Sequence, residues 1–490
     1  MTSTGRRFTR RGAIKRCAIL AAPWVVPSHV LGLGREPGAN DRIHIGVIGT
    51  GIRGKYLIGN LPRAGRVVAI CDCHAGRMAG TLKPASHSRY RSILGAFVER
   101  DAASCATYQD YRRMLDRARL DAVMIAAPDH HHALAAVLAC QAGLDVYVEK
   151  PLATTIAEGR AIVQAARRYG RVVQVGSQQR TMEMDRFACE FIRTGGLGKV
   201  RLVLLRNKPG PLRYDQFVGE GATHKSTPFV IDLGEEPVPE GLAWDLFCGP
   251  TPLRPHNRKL WQKEEFRVHG LLWRGWDLWR SYSGHMMTNW GAHSMDMVQY
   301  ALGMDDSGPV EIWPETDELD PSLAEPWLHK TPPFGAAGAA PADEMRFCPV
   351  TMRYATGVEV RFAHRWAPET VFHGERGTLF LVRNGFRVEP SDLVANPPDP
   401  ELRRKWQGPG AVARPHIENW LECVRTRRAP NAPPEVGHRS ATACHLANMA
   451  RELGRRLRWD PERERFVGDD QANALLARPR RRGWELPTIV

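Results

Sequence analysis

Six residues close to the first strongly apolar run carry the clearest chemical signal. Gly49-Thr50-Gly51-Ile52-Arg53-Gly54 follows the β-rich run at 43–49 and precedes a helical stretch ending near Leu61. Gly-x-Gly-x-x-Gly between a strand and a helix is an arrangement for holding a pyrophosphate. Gly49 makes the tight turn, Gly51 lets the backbone approach the phosphates, and Gly54 lets helix and strand pack closely. The helix start adds unpaired N–H groups and positive dipole character. A second strand, 67–71, ends at Asp72, which stands 21 positions after Gly51. A carboxylate there accepts hydrogen bonds from a ribose 2′-hydroxyl and repels a 2′-phosphate, so NAD is expected in preference to NADP.

The elements that must position these residues alternate. Strands are expected at 121–127, 145–149 and 171–176, with helices at 133–142 and 156–169 between them. Such alternation predicts a parallel, doubly wound sheet, an α/β fold whose ligands bind at the carboxyl ends of the strands. Pro128 and Glu149-Lys150-Pro151 fall at such ends.

The chain has 490 residues, which predicts more than one domain. Its net charge of +15 is scattered, with the densest runs at Arg6–Arg11 and Arg478–Arg482. No zinc-finger spacing or RNA-binding aromatic box accompanies it, so no nucleic-acid partner is expected. No apolar run is long enough for a membrane span. Ten dispersed cysteines without a Cys-x-x-Cys pair argue against a disulfide scaffold or a cysteine zinc site. The adjacent His130, His131 and His132 cannot readily converge on one ion, and no metal is expected. Thr9-Arg10-Arg11-Gly12-Ala13-Ile14-Lys15 precedes a weak apolar stretch at 17–26. This is close to a twin-arginine export signal, the alternative being a basic tail. Residues 1–40 are therefore expected to be signal and linker, with a periplasmic or exported destination, or a cytoplasmic one if the leader does not function.

Several of these pieces together carry a family resemblance: 46–54, Ala127-Pro128-Asp129-His130-His131-His132, Glu149-Lys150-Pro151-Leu152-Ala153, the run at 175–180, and Asn289-Trp290-Gly291-Ala292-His293-Ser294-Met295-Asp296. The chain resembles the Gfo/Idh/MocA family of NAD(P)-dependent oxidoreductases across roughly residues 41–480. The resemblance implies a dinucleotide-binding Rossmann domain at 41–180. An α+β domain with an open, mostly antiparallel sheet would follow at 181–490, used for substrate binding and often for oligomerisation, so a homo-oligomer is expected. Strand-like runs at 199–206, 310–313, 348–354, 358–363, 378–382 and 385–389 agree with it. Residues 314–343 read as an inserted loop, and 437–456 as a late amphipathic helix.

The resemblance also implies the site. Lys150 and His293 are the expected catalytic pair, handling the substrate proton while hydride passes to nicotinamide. Gly49, Thr50, Gly51, Ile52, Arg53, Gly54, Asp72, Pro128, His132, Glu149, Lys150 and Gln178 are expected around the cofactor. Arg180, Asn289 and Asp296 are expected around the substrate, with Gln179, His416 and Asn419 as weaker candidates. The family usually places an acid four residues before the histidine. This chain has Asn289 there, and Asp296 is a candidate substitute. Tryptophans between 244 and 290 could stack on sugar rings or simply be core. The expected activity is oxidation or reduction at a secondary alcohol of a sugar, cyclitol or glycoside. One alternative is glycoside cleavage through transient oxidation with NAD retained. Another is a non-catalytic sugar- or nucleotide-sensing protein, against which Lys150 and His293 both argue.

Overall fold

The computed structural model describes residues 41–211, 234–261, 266–268, 271–273, 275–315, 348–364, 370–406 and 413–489. The paired arginines of the expected export signal and most of the expected inserted loop lie outside them.

The first sheet contains β1 (Ile43–Ile48), β2 (Gly65–Cys71), β3 (Ala106–Tyr108), β4 (Ala122–Ile125), β5 (Asp145–Val148) and β6 (Val173–Val175). All neighbouring pairs are parallel, in the order β3-β2-β1-β4-β5-β6. β4 and β5 are buried throughout, as expected of strands with helices on both faces. One face packs on Ala133, Ala136 and Val137 of helix His132–Gln141 and Ile162 of helix Ile156–Arg168. The other packs on Leu57 and Ile58 of helix Ile52–Gly59 and Leu94 and Phe97 of helix Tyr90–Arg100. Strand order reverses between β1 and β4, and the crevice that this creates opens beside Gly49, Asp72, Pro128 and Glu149.

The second sheet contains β7 (Val200–Arg206), β10 (Pro309–Pro314), β11 (Val350–Tyr354), β12 (Glu359–His364), β13 (Thr370–Gly374), β14 (Thr378–Val382), β15 (Gly385–Glu389), β16 (Leu457–Asp460) and β17 (Arg465–Phe466). A hairpin of β8 (Phe266–Val268) and β9 (Leu271–Trp273) stands apart. The nine strands run β15-β14-β13-β7-β12-β11-β10-β16-β17, antiparallel except for the parallel pair β7–β12. The expected α/β Rossmann layer followed by a mostly antiparallel α+β layer is what the chain adopts.

Two expectations need correction. The boundary at 180 does not separate the layers, because helix Arg414–Thr426 returns to the first one. Its Ile417, Trp420 and Leu421 are buried with Ile45, Val47 and Tyr147. Trp484 joins the core on the opposite face. The late helix, Pro434–Leu453, is buried nearly all round rather than amphipathic. A helix sealed on all sides finds partners for most of its polar side chains inside the protein. His438 Nε2 meets Glu464 at 2.6 Å, Ser440 Oγ donates to Asp296 at 2.8 Å, and His445 Nε2 meets the Ala153 carbonyl at 3.0 Å.

Candidate active site

The glycine turn has little room to vary. Gly49 has φ +92°, and a Cβ there would lie 2.5 Å from the Ala127 nitrogen. A Cβ on Gly54 would lie 2.0 Å from the Gly49 carbonyl oxygen. Gly51 instead faces open space, with nothing within 4 Å of where a Cβ would stand, and no side chain caps the helix that starts at Ile52. An open backbone beside free helix N–H groups fits a pyrophosphate. Asp72 is set by the same turn: its Oδ2 accepts from the Thr50 backbone N–H at 2.8 Å and from Thr50 Oγ1 at 3.1 Å. Its Oδ1 accepts from the His74 N–H at 3.0 Å and lies 3.9 Å from Arg77. Arg77 itself rests on the Trp261 ring.

Arg53 crosses from the turn to the end of β5, where its Nε donates to Glu149 Oε1 at 2.7 Å. That oxygen also accepts from Tyr147 at 3.3 Å and Gln178 at 3.2 Å. His132 Nδ1 meets the Pro151 carbonyl at 2.8 Å and its Nε2 meets the Ala127 carbonyl at 3.0 Å, tying together the ends of β4 and β5. The expected cofactor set therefore gathers at one edge of the sheet. Within it, Glu149, Gln178 and His132 make contacts inside the protein that hold the Lys150 turn.

Lys150 Nζ donates to Asn289 Oδ1 at 2.6 Å and to the Asn289 carbonyl at 3.1 Å. Burial lowers its pKa, against the opposing charges of Glu149, Asp129 and Asp277. Asn289 closes helix His285–Asn289, and His293 lies in the first turn of the next helix, Gly291–Ala301. Burial, reinforced by the charges of Arg383, Lys150 and Arg53, drives the His293 pKa well below its usual value. Trp290, 40% exposed, stands edge-on to His293 at 6.3 Å.

The acid–histidine question resolves differently from expectation. Asn289 is paired with Lys150, and Asp296 is not a partner of His293. Both Asp296 carboxylate oxygens accept from Arg180 Nε at 2.9 Å, and Ser440 donates to one of them. Arg180 also meets Asp305 at 2.7 Å. Arg180 and Asp296, expected beside the substrate, thus form a buried ion pair joining the end of β6 to helix Gly291–Ala301. His416 bridges Thr181 and the Val175 carbonyl, and Asn419 accepts from the Asn431 N–H, which gives both structural contacts.

Four site-side residues escaped the sequence reading as chemistry: Asp129, Asp277, Ser283 and His285. Ser283 Oγ lies 2.9 Å from Asp129 Oδ2 and 3.1 Å from Asp277 Oδ1, and Asn289 Nδ2 lies 3.4 Å from Asp277 Oδ2. Asp129 was visible only as part of its motif. The others sit in the tryptophan-rich stretch, where aromatic residues dominate the signal. The aromatic groups there are mostly core: Trp244, Phe247, Trp261, Trp279 and Tyr282 form one buried cluster. His130 and His131 both point a ring nitrogen at the Phe247 carbonyl, at 2.8 and 2.9 Å. Among the described residues no group of three or more His, Cys, Asp or Glu side chains is arranged to hold a metal.

Residues 43–177 match the Gfo/Idh/MocA oxidoreductase family's NAD-binding Rossmann fold, and residues 229–332 and 349–486 match that family's C-terminal alpha/beta domain. The chain belongs to the Gfo/Idh/MocA family. Inositol 2-dehydrogenase 2 of Saccharopolyspora erythraea is 36% identical over 142 residues, 28% of this chain and 37% of that protein. Levoglucosan dehydrogenase of Pseudarthrobacter phenanthrenivorans is 30% identical over 141 residues, 27% of this chain and 36% of that protein. The matched stretches thus span little more than a third of these curated relatives. In overall fold the chain is similar to the WlbA dehydrogenase of Bordetella pertussis, with TM-score 0.53 at 16% identity, covering 86% of this chain and 99% of that one. An oxidoreductase domain protein of Kribbella flavida gives TM-score 0.52 at 17% identity over 85% of this chain and 98% of that one. In this chain the residue four before His293, Asn289, faces Lys150.

Proposed function

We propose that this chain is an NAD-dependent oxidoreductase acting on a secondary alcohol of a sugar or cyclitol. The observation that carries the reading is the placement of Lys150 Nζ against both oxygens of Asn289. A neutral amine has two N–H groups and one lone pair. Both N–H groups are engaged by Asn289, which leaves the lone pair to accept the proton of a substrate hydroxyl. Burial favours that neutral form over what a solvated lysine would show. Bound NAD would supply the hydride acceptor. Gly49–Gly54 would hold its phosphates, and Asp72, already oriented by Thr50, its ribose. Neutral His293 would fix the hydroxyl through a ring nitrogen, and Trp290 offers an apolar face for a sugar ring. The inositol and levoglucosan dehydrogenases among the relatives support a polyhydroxylated ring as substrate class.

The test is nicotinamide reduction with a panel containing myo-inositol, levoglucosan and simple hexoses. Substrate-dependent formation of NADH is expected for at least one of them. A purified, NAD-binding protein inert toward polyols and anhydrosugars alike would contradict the reading.

Retention of NAD through turnover is the second reading, favoured by the segment that folds over the end of β2. The Ala75 N–H donates to the Gly241 carbonyl at 2.9 Å, and the Ala243 N–H to the Cys73 carbonyl at 2.8 Å. Native mass spectrometry distinguishes the two: a retained cofactor survives purification and desalting, whereas an exchangeable one is lost.

A further inference from the structure

Behind Lys150 lie two carboxyls with little access to water: Asp129 is 5% exposed and Asp277 4%. Ser283 Oγ bridges them, at 2.9 Å from Asp129 Oδ2 and 3.1 Å from Asp277 Oδ1, and also accepts the His285 backbone N–H at 3.1 Å. A hydroxyl has one proton and two acceptor sites. It can donate to only one of these carboxyls. The other contact is a hydrogen bond only if that carboxyl is protonated and donates to Oγ. With one proton on the pair, every site on the hydroxyl is used. With none, a buried carboxylate oxygen would face a lone pair.

Asn289 favours one position for the proton. Its Nδ2 is directed to Asp277 Oδ2 at 3.4 Å, while its Oδ1 accepts from Lys150 at 2.6 Å. The donor end of the amide thus faces Asp277 and its acceptor end faces the lysine; Asp277 Oδ2 can accept in either protonation state, but a charge there strengthens the contact, which favours the proton on Asp129. Burial, with Asp277 beside it, pushes the Asp129 carboxyl up to about 8, consistent with this placement.

We propose that Asp129 and Asp277 hold one proton between them through Ser283, and that the charge left on Asp277, relayed by the Asn289 amide, is the counter-charge that positions and tunes Lys150. The proposal rests on the reading of Lys150 as the proton-handling group. Asp129, Asp277 and Ser283 are positioning residues in it. The other charged or titratable groups facing the cluster are Glu149, Arg53, His132 and His293 around Lys150, and His285, whose Nδ1 lies 3.8 Å from Asp277 Oδ2. Arg478 donates to the carbonyl of His130, next to Asp129. A doubly charged pair would favour the protonated form of Lys150, and a neutral pair would leave only Glu149, itself paired with Arg53, opposite its ammonium.

The two aspartates are therefore not equivalent, and their amides separate them. In the NAD-saturated full chain, the acetylation rate of Lys150 by acetic anhydride, read by peptide mass spectrometry across pH, tracks its neutral fraction. Asp277→Asn is expected to lower the midpoint by about one pH unit or more. Asp129→Asn is expected to leave it unchanged, because an amide N–H donates to Ser283 as the protonated carboxyl does. Infrared spectra of the unsubstituted protein at near-neutral pH should show a protonated aspartate carbonyl band that Asp129→Asn removes. Equal shifts in both variants, no shift in Asp277→Asn, or no such band would overturn the proposal. If Asp277→Asn does not fold, the infrared comparison decides. Neither readout needs a sugar substrate, so failure of the dehydrogenase reading would appear separately, as loss of the alcohol-oxidation result with these outcomes intact.

Discussion

Lys150 meets both oxygens of Asn289, so an aspartate at 289 would set its carboxylate against the lysine rather than against His293. Asn289→Asp should raise the Lys150 pKa. Alcohol oxidation requires the neutral amine, so activity is lost on the acid side as the lysine protonates, and the substitution should move that limb to higher pH. A displacement of one unit corresponds to ~1.4 kcal/mol. The pH profile of kcat/KM checks this, and an unmoved acid limb would remove Lys150 as the titrating group. Asp72 sets the choice between the two cofactors in the same way, through one carboxylate. Arg77 is already 3.9 Å from its carboxylate. Asp72→Ser would remove the charge opposed to a 2′-phosphate and leave that guanidinium beside it. NADP affinity should rise relative to NAD by at least about tenfold, or ~1.4 kcal/mol, measured by titration of both cofactors. The glycines and Asp72 could be named from motif spacing, and Lys150 and His293 only through the family resemblance. The partners of Asn289 and Asp296 could not be named, because spacing along one helix does not say which neighbouring strand end each side chain faces.

The glycine turn and the strands of the first sheet could be read from their apolar runs and turn residues. β3 could not: its three residues form an edge strand, with Ala106 and Thr107 exposed. The chain's C-terminal arginines show the other limit. They read as a scattered basic run, yet Arg478 and Arg480 both pair with Glu158 of helix Ile156–Arg168, and Glu158 is 3% exposed. Burial pushes the Glu158 carboxyl up, but the two guanidinium groups overcome it and hold the pKa below its usual value. A depressed folded-state pKa contributes stability above the unfolded value that is lost as pH falls through the folded one. Glu158→Gln leaves two cations facing a buried amide and should cost about 3–5 kcal/mol near neutral pH. Denaturant unfolding should show that deficit shrinking on acidification. A variant as stable as the parent would mean that the tail is not anchored there.

At the scale of the whole molecule, the two sheets fall on either side of residue 180, but the second half of the chain also completes the core of the first. Trp420 and Trp484 are separated from β1 by most of the sequence, and no local pattern marks them as its partners. The leader is a separate matter. We propose that Arg10 and Arg11 direct export, and replacing both by lysine preserves charge while removing the paired guanidinium groups. Export should fail, as read by fractionation of cells expressing the full chain, and undiminished export would mean that basicity alone suffices. The two layers meet in the proposed mechanism: the Rossmann edge would hold the cofactor while Lys150, bonded to Asn289 of the following layer, takes the proton. Lys150→Met tests it most directly, with NAD affinity and substrate-dependent NADH formation measured on the same preparation. The account predicts NAD affinity within about twofold of the parent and turnover reduced by at least about a hundredfold. Turnover retained in that variant, or cofactor binding lost along with it, would contradict the assignment of Lys150 as the proton-handling residue.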